Sequence, residues 1–223
     1  MQLAAVLLVF AGIAALVGGI VAVGRAVERK RAEEMRGAAE ALGWSFEAAP
    51  PLEVIPGLER FTLFGQGRDR RIRNFMAGSR GDVRAALFDY HFTTGSGKST
   101  AHWRQTVLYL RAEGLALPDF SLRPEHVLHK IGSVFGYQDI DFADRPRFSG
   151  ACLLRGRDEA AIRAAFGPEV TGFFEAHPGL CADGGGDELL VWRSGKQARR
   201  PEVPGLAERG AELLERLRTR VPA

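Results

Sequence analysis

Residues 3–23 read LAAVLLVFAGIAALVGGIVAV, an apolar run with no charged residue before Arg25. As a helix that rises ~1.5 Å per residue, this run is roughly 31 Å long, close to the ~30 Å hydrocarbon core of a bilayer. The sequence therefore predicts one transmembrane helix, and we assign residues 1–24 to this anchor. The rest of the chain is expected to form a soluble domain tied to a membrane surface.

A cleaved secretory signal peptide is the alternative interpretation of the same segment. Such peptides combine a basic first region, a shorter apolar stretch and a small-residue cleavage site. Met1 and Gln2 bring no basic side chain, and the sequence RAVERKR at residues 25–31 fits a cleavage site poorly. The residues therefore favour an anchor that stays in the mature protein.

The distribution of basic residues predicts the orientation of the anchor. Five basic residues follow the apolar run closely, and none precedes it: Arg25, Arg29, Lys30, Arg31 and Arg36. The single apolar run predicts a single-pass protein of the cell inner membrane or plasma membrane. Lys and Arg accumulate on the cytoplasmic side of a membrane span. The soluble domain is therefore predicted to face the cytoplasm.

Residues 25–43 are predicted to continue as a juxtamembrane helix that ends at Gly43. Its first basic side chains are candidates for contact with anionic lipid headgroups. These candidate lipid-facing residues are Arg25, Arg29, Lys30 and Arg31. The helix also carries four glutamates, which weaken that attraction, so a solvated stalk is the competing interpretation.

Residues 44–223 are predicted to form one α+β domain with a largely antiparallel sheet and packing helices. Runs of β-branched and aromatic residues at 61–64, 72–76, 83–92 and 102–110 are separated by glycine-containing turns, which indicates a meander. Both faces of 83–92 are largely apolar, so this strand is expected to be central. Farther along, we expect short strands at 137–142 and 188–193, a glycine-rich turn at 180–186, and a charged linker at 196–201 before a last helix from Pro204.

The motif at residues 95–100, GSGKST, resembles part of a phosphate-binding P-loop. That loop requires GxxxxGK[ST] followed by a helix. Phe92 occupies the position of the first glycine, and the residues after the motif favour a strand. We therefore interpret this segment as a polar hairpin tip.

The sequence contains no complete catalytic or metal-binding motif, since GxSxG and HExxH are both absent. His126 and His129 have the spacing to share a metal on one helix face, but without HExxH they are interpreted as structural or surface histidines. Cys152 and Cys181 are expected to be reduced core residues. We predict no cofactor, no metal site and, because the net charge of +3 is small and dispersed, no nucleic-acid partner.

Several segments resemble a group of bacterial single-pass membrane-anchored proteins to which no activity is assigned. The shared segments are Phe88-Asp89-Tyr90, Thr93 to Lys98, Leu117 to Glu125 and Asp139-Ile140-Asp141-Phe142. The resemblance covers most of the soluble part and implies a bacterial source and a single anchor. It supplies no catalytic residue.

Three functions are consistent with these observations. The favoured one is a non-enzymatic binding or scaffold module at the inner face of the membrane, with an unknown ligand or protein partner. The second is an enzyme whose site forms only in the fold, with Asp89, His91, His102 and Asp139 as candidates. The third is a domain held against anionic lipid by the arginines of the early strands, Arg60, Arg68, Arg70, Arg71, Arg73, Arg80 and Arg84.

The anchor also carries a pattern of small residues that is typical of helix pairs in membranes. Ala11, Ala15 and Gly19 recur every four residues, as do Ala14, Gly18 and Ala22. Small side chains let two helix backbones approach closely. The pattern is compatible with a homodimer through the anchor, although such spacing also arises by chance in Ala- and Gly-rich spans.

Overall fold

A computed structural model describes residues 2–125 and 139–219 of the chain; for residues 2–9, 11 and 14 it describes the backbone alone. The first element, α1 (Gln2–Leu42), is one continuous helix that joins the predicted anchor to the juxtamembrane helix. Gly43 ends it with φ of 68°, and the amide of Trp44 donates to the carbonyl of Ala39 over 2.9 Å. This left-handed cap is the one the sequence predicts.

Among the residues whose side chains are described, no helix is both long and apolar enough to cross a membrane. The predicted span at 3–23 lies partly outside that part of the chain, because it includes residues 3–9, 11 and 14.

The domain is built on a sheet of eight strands in the order β1-β2-β3-β4-β8-β7-β5-β6. Every neighbouring pair is antiparallel. The strands are β1 (Ser45–Glu47), β2 (Arg68–Arg80), β3 (Val83–Thr94), β4 (Ala101–Ala112), β5 (Leu117–Pro124), β6 (Cys152–Gly156), β7 (Leu180–Gly186) and β8 (Glu188–Arg193). The α+β class and the antiparallel sheet are therefore as predicted.

The two faces of the sheet are covered differently. One face carries the helices, which pack on residues such as Met76, Leu87 and Leu108; we call it the helix face. The other is covered by residues 52–64, whose apolar side chains pack on Phe88 and Tyr90; we call it the loop face. Besides α1, the α-helices of four or more residues in the described part of the chain are α2 (Pro146–Ser149), α3 (Glu159–Ala165), α4 (Pro168–Ala176) and α5 (Val203–Arg218).

Two predicted features are confirmed in detail. Strand β3 is central and buried on both faces, because its alternate residues contribute to the two cores. In the last helix, α5, the leucines that repeat at helical spacing are predicted to contact the sheet, and all four are buried: Leu206, Leu213, Leu214 and Leu217.

Three local predictions are wrong. Residues 61–64 form turns rather than a strand. Their side chains are apolar because they pack on the loop face of the sheet. Residues 180–186 form strand β7 rather than a turn: Gly184 and Gly185 lie so close to Phe120 and Asp119 of β5 that a Cβ atom would collide there. Residues 139–142 form no strand, although the amide of Ile140 donates to Leu154 over 2.8 Å. The sequence also predicts a helix that begins at Pro124 and ends near Gly136, and this segment lies almost wholly outside the described residues.

Candidate functional site

A buried polar network joins α1 to the middle of the sheet, and we call its four residues, Arg31, Asn74, Asp89 and Thr106, the anchor latch. Asp89 of β3 is completely buried on the helix face. Its Oδ2 atom accepts from Arg31 Nε and Asn74 Nδ2, both over 2.9 Å. Its Oδ1 atom accepts from Arg31 Nη2 over 2.9 Å and from the Thr106 hydroxyl over 2.7 Å. Each carboxylate oxygen therefore has two donors.

A bulge in β2 supplies the asparagine of the latch. The pairing of β2 with β3 shifts register between Arg73 and Met76, and Asn74 adopts φ of 51°. Asparagine tolerates this left-handed conformation better than most residues do. The bulge turns the Asn74 side chain toward Asp89, and the Asn74 amide donates to the carbonyl of Ala48 over 3.0 Å.

The latch fixes the direction in which α1 leaves the domain. Arg31 lies at the level of Asp89, whereas Trp44, just after α1, lies against Gly78, which pairs with Ala85 near the start of β3. Helix α1 therefore runs antiparallel to β3. Its N-terminal part projects past the end of β3 where the β3–β4 hairpin lies, and we call this the anchor end of the sheet.

The four candidate lipid-facing residues divide into two groups. Arg25, Arg29 and Lys30 are exposed along α1. Arg31 is different, because its side chain is 16% exposed and its guanidinium pairs with Asp89. The charge of Arg31 is therefore neutralised inside the domain.

The four candidate catalytic residues are only partly brought together. Asp89, His91 and His102 lie on the helix face at the anchor end, where His102 Nδ1 is 3.2 Å from the Thr93 hydroxyl. Burial lowers the pKa of His91, and the Asp89 carboxylate opposes that shift. Asp139 lies far away beside β6, where it accepts from Arg155 Nε over 2.6 Å. These side chains line neither of the two cavities described next.

The larger cavity lies beside the latch, has a volume of about 570 Å³, and is lined mainly by charged residues. We call it the basic cavity; its lining residues are Thr106, Arg193, Lys196, Gln197, Ala198, Arg199, Glu202, Leu206 and Arg209. The amide of Ala198 donates to the Thr106 hydroxyl over 2.8 Å, which ties the cavity wall to the latch. From the sequence, Thr106 and Arg193 were expected in strands, residues 196–201 in a charged linker, and Leu206 and Arg209 in the last helix; no pattern predicted that they line one cavity.

A smaller cavity of about 280 Å³ lies between residues 60–62 and strands β5 to β7. Its charged groups are largely engaged in pairs. Arg60 forms an ion pair with Glu188, and the lining residue Asp183 is bound by the buried Arg123 over 2.6 Å and 3.0 Å. This cavity therefore presents balanced charge.

The arginines of the early strands separate into two sets. Arg68, Arg70 and Arg71 are exposed at the anchor end, because β2 begins there. Arg80 and Arg84 lie at the opposite end, where Arg84 faces Glu113 over 3.9 Å. Of the other two, Arg73 is half-buried on β2 and Arg60 pairs with Glu188.

The remaining sequence candidates are placed as follows. Residues 95–100 join β3 to β4 and lead into a strand, as the hairpin interpretation requires. Cys152 and Cys181 are free thiols on opposite faces of the sheet, and burial raises the pKa of each to about 11. Within residues 2–125 and 139–219, no three His, Cys, Asp or Glu side chains come together as a metal site. His126 and His129 lie outside the described residues.

Comparison with models of known protein families gives no match, and comparison with curated proteins gives none. Among solved structures, the chain is similar to the crystal structure of the mycobacterial trehalose monomycolate transport factor A, TtfA, with a TM-score of 0.63. The two chains are 14% identical, and the alignment covers 86% of this chain and 97% of that chain. The likeness shows a shared fold, which does not by itself imply a shared function.

Proposed function

We propose that this protein is a single-pass membrane-anchored, non-enzymatic binding or scaffold module whose domain faces the cytoplasm in a fixed orientation. The observation that carries the proposal is the anchor latch. It joins a helix that begins in an apolar run to the centre of the sheet through a carboxylate with four donors. A rigid joint of this kind sets how the domain is presented at a membrane.

Three further observations support the proposal. The apolar run and the basic residues that follow it meet the physical requirements of an oriented anchor. The sequence resembles bacterial single-pass membrane-anchored proteins. The protein with the similar fold is described as a transport factor, which is compatible with a binding role for the fold.

The enzyme hypothesis gains less from the geometry. A general base needs a free proton-accepting atom, and a general acid a proton to donate, within reach of a substrate. Both oxygens of Asp89 are already occupied by two donors each, and Asp139 lies beside a different strand. The non-enzymatic hypothesis is therefore better supported than the enzyme hypothesis.

Alkaline carbonate extraction of cell membranes tests the anchor. We expect the full chain to stay with the membrane pellet and a variant lacking residues 2–24 to appear in the soluble fraction. The deletion leaves the core intact, because the described side chains from residue 15 to residue 30 are all exposed. Extraction of the full chain by carbonate would rule out an integral anchor.

A reporter fused after Ala223 tests the orientation separately. We expect a reporter that works only in the cytoplasm to be active and a periplasm-dependent reporter to be silent. The opposite pair of results would reverse the topology. It would still not permit a disulfide between Cys152 and Cys181 in this fold, because the two side chains point to opposite faces of the sheet.

Contact with anionic lipid is a second candidate function, and the distribution of arginines favours it. Within the described residues, Arg71, Lys98 and Arg104 are exposed at the anchor end without an acidic partner in salt-bridge distance. At the opposite end, three basic side chains meet acidic ones, Arg84 with Glu113, Arg111 with Asp187 and Arg218 with Asp82. Within the described residues, Arg80 is the exposed arginine of that end without an acidic partner in salt-bridge distance. The anchor end is the end that the proposed topology brings toward the bilayer.

Liposome flotation of the variant lacking residues 2–24 tests this contact. We expect low-salt binding to vesicles that contain phosphatidylglycerol, weaker binding to pure phosphatidylcholine, and loss of binding in 0.5 M salt. Arg71→Gln with Lys98→Gln should reduce binding, whereas the control pair Arg80→Gln with Arg84→Gln should not. Equal binding to both vesicle types would remove this function.

Pairing of two anchors remains part of the proposal on sequence grounds. Apart from the neighbouring backbone of α1 itself, nothing in the described part of the chain lies within 4 Å of a Cβ atom built on Gly18 or Gly19, so this surface is available to a second helix. Ala11 and Ala14 lie outside the described side chains. Replacing Ala15, Gly18 and Gly19 by Ile should weaken self-association in a membrane two-hybrid assay, and unchanged signals would argue against the homodimer.

A further inference from the structure

We infer that the basic cavity binds a phosphate-bearing anion, either a free phosphate compound or the headgroup of an anionic lipid. The inference rests on the proposed binding function and gives its unknown ligand a chemical class. Four basic side chains and one acidic side chain line the cavity. Such an excess of positive charge in a concave site attracts anions.

The single acidic residue of the cavity is already engaged. Glu202 Oε1 accepts from Arg199 Nε over 3.1 Å and from Arg199 Nη2 over 2.7 Å. Glu202 Oε2 accepts from the Arg199 amide over 2.8 Å. The hydrogen bonds from Arg199 lower the pKa of Glu202, and the charge of Arg209 lowers it further. The Glu202 carboxylate thus accepts its hydrogen bonds from Arg199 and none from Arg209.

Arg209 carries the specific signal for a ligand. Its Nε atom is buried and makes no hydrogen bond within the described structure. A buried donor without an acceptor is unfavourable, and the guanidinium group matches the oxygens of a phosphate in a two-pronged geometry. An anion in the cavity toward which the Arg209 guanidinium turns would supply the missing acceptor.

The size and the lining of the cavity set limits on the ligand. A volume of about 570 Å³ falls in the range of small-molecule sites and exceeds the space that one phosphate group needs. Leu206 and Ala198 add apolar contact beside the charges. The site therefore suits a phosphate group with an attached polar or short apolar part.

The smaller cavity provides an internal comparison. It also contains arginines, but Asp119 and Asp183 share its lining, and Arg60 and Arg155 are paired with Glu188 and Asp139. In the basic cavity, the basic side chains outnumber the acidic side chains that pair with them. In the smaller cavity, they do not. The anion site is accordingly assigned to the basic cavity.

Isothermal titration of the full chain in phosphatidylcholine nanodiscs tests the inference. The probes are inorganic phosphate, glycerol 3-phosphate, a soluble short-chain phosphatidylglycerol and, as the comparator, a short-chain phosphatidylcholine. We expect one phosphate-bearing anion to bind and Arg209→Gln to weaken that binding at least tenfold. Lys196→Gln should weaken it about threefold, and Arg84→Gln, an equivalent change at the far end of the sheet, should leave it unchanged.

The pattern among probes identifies the source of the ligand. Tighter binding of the short-chain phosphatidylglycerol than of glycerol 3-phosphate indicates a lipid headgroup, and the reverse indicates a free phosphate compound. The inference is overturned if no anion binds, if phosphatidylcholine binds equally, or if Arg209→Gln binds like the unmodified protein. Should Arg209→Gln fail to fold by circular dichroism, unchanged binding by Lys196→Gln overturns it instead. Carbonate extraction reports on the anchor independently, so the two proposals can fail separately.

Discussion

Within the described residues, two arginine–aspartate pairs have a buried aspartate and similar geometry, but they connect different parts of the domain. Arg31 binds Asp89 through two hydrogen bonds of 2.9 Å. Arg123 binds Asp183 through hydrogen bonds of 2.6 Å and 3.0 Å. Both aspartates are essentially inaccessible to solvent. Their surroundings differ in a way that separates the stability of the domain from its attachment to α1.

The Arg123–Asp183 pair belongs wholly to the sheet and its cover. Arg123 lies on β5 and its guanidinium stacks 4.4 Å above the ring of Trp192 on β8. It also donates to the carbonyls of Leu122 and Ala182. Within the described residues, Asp183 accepts from one donor besides Arg123, the amide of Leu63, over 3.4 Å. This pair therefore joins three strands and the loop face.

The Arg31–Asp89 pair instead joins the sheet to a helix that leaves it. Asp89 has two other good donors, Asn74 over 2.9 Å and Thr106 over 2.7 Å. Loss of Arg31 would leave the carboxylate solvated by these side chains, whereas loss of Arg123 would leave Asp183 almost without donors. The Arg31–Asp89 pair therefore orients α1, whereas the Arg123–Asp183 pair stabilises the core.

The largest effect is expected for Arg123→Met. Removal of one partner from a buried ion pair leaves an uncompensated charge, and the free energy of unfolding should fall by about 3–5 kcal/mol. Chemical denaturation of the variant lacking residues 2–24 measures this. Arg84→Met is the control, because Arg84 faces Glu113 over 3.9 Å with both side chains exposed, and it should change stability by less than ~0.5 kcal/mol. Similar losses in both variants would contradict the role given to Arg123.

A smaller, local effect is expected for Arg31→Met. Charged hydrogen bonds contribute roughly 1.5–3 kcal/mol, and Asp89 keeps two donors, so we expect a loss of about 2 kcal/mol. Amide hydrogen exchange should accelerate in residues 25–34 while strands β5 to β8 stay protected. Faster exchange throughout the sheet would show that the two pairs do not differ in this way.

The pH dependence of stability should also distinguish the Arg31–Asp89 pair from the Arg123–Asp183 pair, because His91 lies near the first. Its pKa is lowered in the folded domain, mainly by burial, whereas the unfolded value is about 6.5. The unfolded chain therefore takes up a proton first, and this contribution to stability is complete above about pH 6.5 and falls as the pH drops below it. In Arg31→Met, the unneutralised Asp89 should raise the pKa of His91 and reduce this loss.

Denaturation at pH 7.5, 6.5 and 5.5, compared with His91→Gln in each background, isolates the contribution of His91 from that of the carboxylates. Arg123→Met should leave the contribution of His91 unchanged, because Arg123 lies on the loop face and His91 on the helix face. An identical His91 contribution in the Arg31→Met background would show that Arg31 does not screen Asp89.

Local chemistry explains which parts of the fold were predictable from sequence. The cap at Gly43 follows from the residue at that position, as does the Asp158 cap of α3, which accepts from the Ala161 amide over 2.9 Å. The central position of β3 follows from its two apolar faces. Strand β7 was missed because its glycines are needed for close approach to β5, and glycine-rich sequence ordinarily indicates a turn.

The candidate sites were less predictable, because their residues meet only in three dimensions. Arg31 and Asp89 are 58 positions apart, and nothing near Arg31 in sequence distinguishes it from Arg29 or Lys30. Likewise, the segment at 196–201 reads as a charged linker until α5 brings Arg209 beside it. Its excess of positive charge was visible in the sequence, but its concave shape was not.

The central claim, that α1 holds the domain in one orientation at the membrane, is tested most directly by a pulsed electron-paramagnetic-resonance distance in nanodiscs. Spin labels at Val27→Cys on α1 and Ser99→Cys on the hairpin tip occupy exposed positions, and the two native thiols are buried with raised pKa values. If Arg31 fixes α1 on the sheet, we expect one narrow distance distribution in the unmodified background and a broad one in Arg31→Met. A broad distribution in both backgrounds, or a narrow one that Arg31→Met leaves unchanged, would contradict it.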